Sequence, residues 1–502
     1  MSLDPRVTEL LEALRAAGVR PAGITADSRR VGPGELFAAW PGFATDGRRH
    51  IPGAIERGAA AVLWESADGF NPGPLPLPSL PVAGLRELGG HLADEIHGRP
   101  SARLWLAGVT GTNGKTTVSQ WIAQALQELG TGCGIIGTLG CGFPGRLADA
   151  LNTTPDALEL HRHLAAFLAA GAGAAAMEVS SIGLDQGRVN GARFDVGIFT
   201  NLSRDHLDYH GSMEAYAAAK ARLFDLPGVD RAVINLDDAF GLALARRRVA
   251  RGDEVIGYTC VAASAGALPG ARVLLADRLQ VAPAGLRFAL HFEGRQADLR
   301  VHMVAPFNVS NLLAVIGALL LRGEALDDVL AVAARLVPPA GRMQLVGGVG
   351  EPLVLVDYAH TPDALAKVLE AVHDTVRARG GRLVCVFGCG GDRDPGKRPL
   401  MGEAARMRAD RVLITSDNPR TEDPMKIIEA VAAGAGASAE CIVDRGQAIA
   451  IAIGEAGVDD VVVVAGKGHE PYQEILGRRL PFSDVEQARL ALAAWHRGRA
   501  QG

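Results

Sequence analysis

The sequence predicts an α/β protein of three domains, in which a central domain with a parallel sheet lies between two further α/β domains. The chain has 502 residues, and at roughly 150 residues per domain this length suggests about three domains. Short apolar runs alternate with helical patterns over most of the chain, which is typical of βαβ units and parallel sheets. Passages rich in proline and glycine interrupt the alternation twice, and each marks a predicted domain boundary.

The first two predicted domains meet near residue 99, after a proline-rich passage at 72–81 and within the segment HGRPSARLWLAG. Residues 1–98 begin with a short amphipathic helix that starts at Asp4, and we expect them to form a small N-terminal α/β domain. Residues 99–337 form the central domain. Its predicted strands are 104–109, 173–179, 194–200 and 231–235, and its first helix begins at Lys115. Between 255 and 302 the apolar residues recur at every second position, which predicts antiparallel strands.

The third predicted domain covers residues 338–502, after a Val337-Pro338-Pro339 passage. Its predicted strands are 353–357, 382–387, 411–415 and 460–465. Helical patterns separate these strands, and the alternation predicts a Rossmann-like, doubly wound α/β domain.

Composition and charge exclude several classes of protein. The formal net charge is −5 and hydrophobic residues make up 48% of the chain, so we expect no broadly basic surface for nucleic acid. The most apolar run, 164–177, is too short to span a bilayer, and the N-terminus lacks the pattern of a signal peptide. The six cysteines include no CxxC pair, which favours idle thiols in a reducing compartment. We therefore expect a cytoplasmic protein with no nucleic-acid or membrane partner.

The strongest local signal is the segment LWLAGVTGTNGKTT at 104–117. An apolar strand runs into a glycine-rich turn, and Lys115 and Thr116 then open a helix, so backbone N–H groups would concentrate positive potential where a polyphosphate binds. Lys115 would neutralise the phosphates and the Thr116 hydroxyl would reach Mg²⁺. The strict G-x-x-x-x-G-K-[ST] pattern fails because Val109 occupies its first position. The alternative is a plain glycine turn with a surface lysine.

Three further features of the central domain each have a functional and an ordinary interpretation. Glu178 ends a predicted strand, where a carboxylate is either a Mg²⁺ ligand or simply solvated. The segment 199–210 places two aspartates and two histidines in its second half, and these either bind a metal or substrate or belong to a helix-capping segment. Lys220 lies in a helical pattern, which alone predicts a solvated side chain.

In the last domain, four polar loops each follow a predicted strand. The motifs that define them are DYAHTPD from Asp357, FGCGGDRDPGKR from Phe387, DNPR from Asp417 and GKGHE from Gly466. One alone would be an ordinary surface loop, but the carboxyl ends of parallel strands share one edge of a sheet, so we expect a ligand site there. Arg393, in the second loop, has the planar guanidinium that binds a carboxylate through two hydrogen bonds.

Taken together, these motifs resemble the Mur ligase family, the ATP-dependent amino-acid ligases of peptidoglycan precursor synthesis. The motifs that carry the resemblance are, in order, GTNGKTT at 111–117, MEVSS at 177–181, TNLSRDHLDYH at 200–210, YAAAK at 216–220, DYAHTPD at 357–363 and GKGHE at 466–470. The segments 25–39 and 46–59, with DNPR at 417–420, resemble the branch that adds meso-diaminopimelate to UDP-N-acetylmuramoyl-L-alanyl-D-glutamate. Diaminopimelate carries a carboxylate that lysine lacks, and Arg420 offers a planar group to bind it.

The resemblance implies a UDP-substrate-binding N-terminal domain, a central P-loop ATPase domain and an amino-acid-binding C-terminal domain. The catalytic residues would be Lys115, His206 and Lys220, and the metal ligands for Mg²⁺ would be Thr116, Glu178, His206 and Lys220 as a carbamate. ATP would contact Gly111, Thr112, Asn113, Gly114, Lys115, Thr116, Thr117, Asn308, Arg342, Asp357 and His360. The UDP-muramoyl dipeptide would contact Ser28, Asn152, Thr153, Thr154, Ser180, Gln186 and Arg188. The incoming amino acid would contact Arg393, Asp417, Asn418, Pro419, Arg420, Gly466 and Glu470.

The resemblance also implies that ATP phosphorylates the D-glutamate γ-carboxylate and that the diaminopimelate amine then attacks the acyl phosphate. We expect small-molecule substrates only and a monomer. One alternative is a folylpolyglutamate-synthase-like ligase, against which the first domain and DNPR argue. The other is a nucleotide-binding protein without catalysis, against which Lys115, Glu178, His206 and Lys220 argue. The sequence departs from the branch at Phe43-Ala44, where a His-Gln pair commonly lies near the uracil.

Overall fold

The structure, a computed structural model, describes residues 4–42, 45–66, 69–282, 285–347 and 350–500 of the chain. The chain divides into two compact units. The first consists of Met1–Tyr258, Ala263–Val273 and Ala314–Val329, and the second of Thr259–Ala262, Leu274–Leu313 and Leu330–Gly502. Strands and helices alternate in both, which confirms the predicted α/β class. No helix in the described part of the chain is long and apolar enough to cross a membrane.

A small parallel sheet lies near the start of the first unit. Its strands, in spatial order, are β1 (Gly23–Thr25), β2 (Glu35–Ala39), β3 (Ala61–Glu65) and β4 (Ser79–Val82). The helices here are α1 (Pro5–Ala16), α2 (Ile51–Glu56) and α3 (Leu85–Ile96), with 3₁₀ turns at Gly47–His50 and Pro100–Ala102. The Asp4 carboxylate caps α1 by accepting a hydrogen bond from the Arg6 N–H, as Asp commonly does at a helix start. The predicted N-terminal helix is confirmed.

A second sheet carries the central βαβ pattern. In spatial order its strands include β12 (Glu254–Thr259), β11 (Arg231–Asn235), β10 (Val196–Phe199), β5 (Trp105–Thr110), β9 (Ala174–Glu178), β6 (Cys133–Gly137), β7 (Gly140–Phe143) and β8 (Arg146–Ala148). The strands from β12 to β6 are parallel, as predicted, whereas β7 and β8 continue the sheet in antiparallel fashion. The helices are α4 (Lys115–Glu128), α5 (Ala157–Ala169), α6 (Ser181–Asp185), α7 (Leu207–His210), α8 (Met213–Asp225) and α9 (Ala239–Arg251).

Most of the predicted antiparallel segment, 255–302, forms a meander of three strands, β13 (Arg272–Ala282), β14 (Gly285–Phe292) and β15 (Arg295–Val301). The prediction is wrong for the first residues of the segment, which belong to β12 and pair parallel to β11, because this strand is buried at all but its first position. A 3₁₀ turn at Ala262–Ser264 precedes it. β14 and β15 pair without interruption from Leu286 opposite Val301 to Phe292 opposite Arg295. The helices α10 (Phe307–Arg322) and α11 (Leu326–Ala333) follow. The start of α10 just after Pro306 agrees with the preference of proline for helix starts.

The third sheet lies in the second unit. Its strands, in spatial order, are β16 (Gln344–Val346), β17 (Leu353–Asp357), β21 (Val461–Ala465), β18 (Leu383–Phe387), β19 (Arg411–Thr415) and β20 (Glu440–Ile442). β16 is antiparallel to its neighbour and the others are parallel. The other elements are α12 (Pro362–Arg379), α13 (Lys397–Arg406), α14 (Pro424–Ala435), α15 (Arg445–Gly454), the hairpin β22 (Tyr472–Ile475) and β23 (Arg478–Pro481), and α16 (Asp484–Ala500). All four predicted strands of this region are confirmed.

Burial explains why the central strands of the third sheet are continuous apolar runs. Val461–Ala465 is buried at every position, and its residues alternate between two apolar clusters, one on each face of the sheet. Parallel strands covered on both faces have this composition because neither face meets water. The central strands of this sheet therefore carry polar side chains only at their ends, and the candidate site lies there and in the loops that follow.

Candidate active site

The glycine-rich loop between β5 and α4 confirms the predicted strand–turn–helix arrangement. The strand ends at Thr110 and the helix begins at Lys115. Gly111 has a φ of +145°, and a Cβ there would lie 1.9 Å from the Thr200 hydroxyl. Gly114 adopts a φ of +87°, a region that side chains disfavour. Both glycines are therefore required by the shape of the turn.

The segment after β10 braces this loop. The Thr200 hydroxyl donates to the Asn113 carbonyl at 2.5 Å, and the Asn201 side-chain oxygen accepts from the Asn113 N–H at 3.0 Å. The Thr112 N–H donates to the Asn201 carbonyl at 2.8 Å. Sequence reasoning assigned no function to Thr200 or Asn201. The signal that identifies them is their position, since they follow the strand that pairs with β5.

Lys115, Thr116 and Glu178 lie at the carboxyl edge of β5 and β9. Lys115 Nζ donates to the carbonyls of Gly111 and Thr112 at 2.9 Å each, so its amine folds over the loop. The Thr116 hydroxyl donates to Glu178 Oε2 at 3.0 Å. Glu178 is only 2% exposed and also accepts from the Thr138 N–H at 2.8 Å. The interpretation of Glu178 as a solvated strand end is wrong, because the carboxylate is buried against the helix that starts at Lys115.

Lys220 is buried, not solvated as its helical pattern alone predicts. Its Nζ donates to the Gly111 carbonyl at 2.8 Å and lies 4.2 Å from the centre of the Tyr216 ring, one helical turn earlier. Burial, with a smaller contribution from the Lys115 charge, lowers the pKa of Lys220 to about 6. The amine is therefore largely neutral near pH 7, which makes it a nucleophile.

His206, like Lys220, packs against the Tyr216 ring, with the two ring centres 6.2 Å apart. Its side chain is 48% exposed and its Nε2 lies 3.5 Å from the Asp205 carboxylate. His206 is the N-cap residue of the short helix α7 and has a φ of +51°. The backbone of this segment therefore agrees with its interpretation as a helix-capping segment. Among the described residues, no three His, Cys, Asp or Glu side chains are arranged to hold a metal.

Five of the residues predicted to bind the UDP-muramoyl dipeptide form one hydrogen-bonded network. They are Thr153, Thr154, Ser180, Gln186 and Arg188. Thr154 is its centre, because its hydroxyl donates to Ser180 Oγ at 3.0 Å and its carbonyl accepts from Arg188 Nη1 at 2.8 Å. The Thr153 hydroxyl lies 3.0 Å from the Thr138 hydroxyl, which links the network to Glu178.

The two other residues predicted to contact this substrate line cavities in the same unit. Asn152 shares a cavity of about 190 Å³ with Gln186 and Arg188. Ser28 lines a second cavity, of about 450 Å³, that includes Trp40 and His50. Trp40 borders both cavities. The departure at Phe43-Ala44 lies outside the described residues.

In the second unit, the predicted ATP contacts Arg342, Asp357 and His360 lie near one another around Tyr358. The buried Asp357 carboxylate accepts from the backbone N–H groups of Met343 and Ala359 at 2.7 and 2.8 Å, while burial raises its pKa. The Arg342 guanidinium lies 4.9 Å from the centre of the Tyr358 ring, and its buried Nε has no hydrogen-bond partner among the described residues. Asn308 is buried in α10, where its side-chain oxygen accepts from the side-chain amide of Asn311 at 3.2 Å.

The loops after β19 and β21 are brought together as predicted. The Asn418 side-chain amide donates to Glu470 Oε2 at 2.8 Å. A Cβ on Gly466 would lie 2.7 Å from the Asp417 carboxylate, and burial raises the pKa of Asp417. The two loops therefore need glycine at position 466 to approach each other this closely.

Arg420 and Arg393 belong to neighbouring loops. Arg420 has a φ of +51°, and its Nη1 donates to the Gly391 carbonyl at 2.6 Å while its Nε lies 3.6 Å from Glu474. A Cβ on Gly391 would lie 2.0 Å from the Pro419 carbonyl, so the loops touch closely. Arg393 is exposed on the second loop. The Arg420 guanidinium therefore contacts the protein through Nη1 and Nε.

The fold and these loops define the class of the protein, and comparison with known proteins agrees. Three family models match: the Mur ligase family catalytic domain at 21–92, the Mur ligase middle domain at 109–319 and the Mur ligase glutamate ligase domain at 341–468. The chain belongs to the Mur ligase family.

Several similar proteins share one name. The UDP-N-acetylmuramoyl-L-alanyl-D-glutamate--2,6-diaminopimelate ligase of Ectopseudomonas mendocina is 53% identical over 98% of this chain and 99% of its own. The ligase of the same name from Pseudomonas aeruginosa is 53% identical over 94% of this chain and 95% of its own. A solved structure with that name has a TM-score of 0.70 and 38% identity, and it covers 95% of each chain.

Proposed function

We propose that this chain is the ATP-dependent ligase that joins meso-2,6-diaminopimelate to the D-glutamate γ-carboxylate of UDP-N-acetylmuramoyl-L-alanyl-D-glutamate, in peptidoglycan precursor synthesis. The observation that carries the proposal is the near-full-length identity to ligases of that name. Two local geometries support it: the phosphate loop closed by Gly111 and Lys115, and the partly buried Arg420 beside Glu474.

Each predicted domain has one substrate in this proposal. Residues 1–98, with the network around Thr154, bind the UDP-muramoyl dipeptide. Residues 99–337, which include Asn308, bind ATP, and the proposed ATP contacts outside this range are Arg342, Asp357 and His360. The buried Nε of Arg342, which has no partner in the described part of the chain, supports a contact with an anionic ligand. Residues 338–502 bind the amino acid, and the enzyme acts as a cytoplasmic monomer.

The reaction needs ATP because a carboxylate is a poor electrophile. A γ-carboxylate oxygen attacks the γ-phosphorus of ATP, the bond to the bridging oxygen breaks, and ADP leaves. The diaminopimelate amine then attacks the carbonyl carbon of the acyl phosphate and loses a proton, and the tetrahedral intermediate expels inorganic phosphate. Lys115 and the N–H groups of the loop from Gly111 stabilise the charge that moves onto ADP. Arg420 binds the second carboxylate of diaminopimelate and orients the attacking amine.

The residues present fit Mg²⁺. The Thr116 hydroxyl and the Glu178 carboxylate lie 3.0 Å apart, and both are the oxygen ligands that Mg²⁺ prefers. They would hold one ion, which neutralises phosphate charge when it is bound. His206 and Lys220 would hold a second. For this, Lys220 first adds its neutral amine to CO₂ and loses a proton to give a carbamate, which its lowered pKa of about 6 supports.

A single assay tests the proposal. ADP release is measured with ATP, the UDP-muramoyl dipeptide and either meso-diaminopimelate, L-lysine or L-glutamate. We expect release with diaminopimelate at a kcat/KM at least about a hundredfold above that with lysine, because lysine leaves Arg420 without its carboxylate partner.

Other outcomes of this assay point to the alternatives. Release only with L-glutamate would favour a folylpolyglutamate-type ligase, and release with none of the three amino acids would favour a binding protein without catalysis. Release with lysine alone would overturn the function assigned to Arg420. The control reaction omits the UDP-muramoyl dipeptide and measures ATP hydrolysis that is not coupled to ligation.

A further inference from the structure

The GKGHE loop of the second unit contains a fully buried cation that the proposed reaction does not use. Lys467 is 0% exposed, and its Nζ donates to Asn418 Oδ1 at 3.0 Å and to Glu470 Oε2 at 2.8 Å. The Tyr472 ring covers it from one side at 5.6 Å, within the range of a cation–π contact. Such a buried side chain cannot touch the amino-acid substrate. It does contact Asn418 and Glu470, which are proposed to bind this substrate.

We infer that Lys467 is a positioning residue that sets both the orientation of Asn418 and the charge of Glu470, and thereby the selectivity of the site for an amino acid with a free ammonium group. The inference rests on the proposed function, because it deepens the description of the same amino-acid site.

The backbone explains how a lysine comes to point inward here. It lies between Gly466, with a φ of +115°, and Gly468, with a φ of +55°. A Cβ on Gly468 would lie 2.8 Å from the Tyr358 Cβ, so the loop packs too closely for any larger residue. The Glu470 N–H donates to the Lys467 carbonyl at 3.1 Å and closes the turn. The turn thereby brings the lysine and the glutamate side chains together.

The hydrogen bonds of Lys467 fix the orientation of the Asn418 amide. Asn418 Oδ1 accepts from Lys467 Nζ and from the Glu474 N–H at 2.9 Å. Since both of these partners are donors, the oxygen must face them and the NH₂ group must face Glu470, to which it donates at 2.8 Å. Without Lys467, Asn418 Oδ1 loses one of the two hydrogen-bond donors that fix the orientation of the amide.

The same cation determines the charge of Glu470. Burial opposes ionisation of this carboxyl, but the hydrogen bonds and charge of Lys467, with the hydrogen bond from Asn418, lower its pKa overall. Both donors use Oε2, and no described residue donates to Oε1. An ionised Oε1 would accept from a substrate ammonium, whereas Arg420 carries the positive charge that suits a carboxylate. The two side chains together match a zwitterion.

The test uses the full-length enzyme with Lys467→Met, which keeps the apolar stem and removes the amine, and Lys467→Gln, which keeps an amide donor without the charge. In both variants we expect the KM for diaminopimelate to rise, by about tenfold or more in the methionine variant, with the KM for ATP unchanged. Both variants remove the cation beside Glu470, so the pKa of this carboxyl should rise. The pH below which the KM for diaminopimelate increases should therefore move upward. The glutamine variant should retain part of the affinity and still show the pH shift.

Arg248→Met is the matched control. Arg248 is also a buried cation, 1% exposed and 2.6 Å from Asp253, but it lies in the first unit. We expect this control to lower the melting temperature and to leave the KM for diaminopimelate and its pH dependence unchanged. Equal losses in every kinetic constant of the Lys467 variants, or an unchanged KM for diaminopimelate, would overturn the inference. Failure of the wild-type enzyme to use diaminopimelate would instead overturn the proposed function.

Discussion

Burial can change the chemistry of a single amine more than any neighbouring charge does. Lys220 and Lys115 both donate to the Gly111 carbonyl, but Lys220 is 1% exposed and its pKa falls to about 6, mainly because burial penalises the ammonium. A lysine that is mainly neutral near pH 7 can react with CO₂ or another electrophile. One that remains an ammonium can only donate hydrogen bonds and neutralise charge.

This difference predicts a pH-dependent contribution of Lys220 to stability. The unfolded chain binds a proton at this site up to its ordinary pKa of 10.5, whereas the folded protein releases it near 6. Between these values the unfolded state holds more protons, so stability rises with pH. In urea unfolding in CO₂-free buffer, we expect the free energy of unfolding of the wild type, relative to Lys220→Met, to rise by about 1.4 kcal/mol per pH unit in this window.

Lys367→Met provides the comparison, because Lys367 is 47% exposed and its replacement should give no such slope. Equal pH slopes for the wild type and Lys220→Met would show that the amine is charged in the folded protein.

At the scale of elements, the pattern of apolar residues predicts the buried strands and misses the exposed ones. The strand at 353–357 is predicted to the residue, because every position is buried. The hairpin of β22 and β23 is not predicted, since Arg478–Pro481 is exposed throughout and shows no alternation. The burial of Lys220 and Lys467 also escapes prediction, because it depends on neighbours that are distant in the sequence. Motif order identifies the loops, but not which side chains face inward.

The phosphate loop and α4 form an element whose shape depends on Gly111. Gly111→Ala places a methyl group 1.9 Å from the Thr200 hydroxyl, so the loop must shift away from β10. We expect the KM for ATP to rise by about tenfold or more, because the loop N–H groups no longer converge on the phosphates.

Gly130→Ala separates this effect from backbone strain alone. Gly130 also has a positive φ, +84°, but a Cβ there meets nothing within 4 Å. We expect it to lower the free energy of unfolding by roughly 1–2 kcal/mol with the KM for ATP unchanged. The same KM for ATP in both variants would contradict the requirement for Gly111 in nucleotide binding.

At the scale of the whole molecule, the two compact units have separate apolar clusters. One large cluster, which includes Leu106 and Met177, lies within the first unit. Two others, which include Leu355 and Val462, lie within the second. Proteins with more than one core often unfold in more than one step. Each unit also contains a buried ion pair that helps to hold it together, between Arg248 and Asp253 in the first and between Arg445 and Asp484 in the second.

These pairs allow the two units to be destabilised separately. Arg445 Nε and Nη2 donate to the two Asp484 oxygens at 2.7 Å each, and both residues are inaccessible to solvent. Removing one partner of such a pair costs about 3–5 kcal/mol. In calorimetry we therefore expect two transitions, with Arg445→Met lowering the midpoint of one by roughly 10 °C and Arg248→Met lowering the other. A single transition that both variants shift equally would mean that the two units unfold as one cooperative structure, and that the separate clusters do not unfold independently.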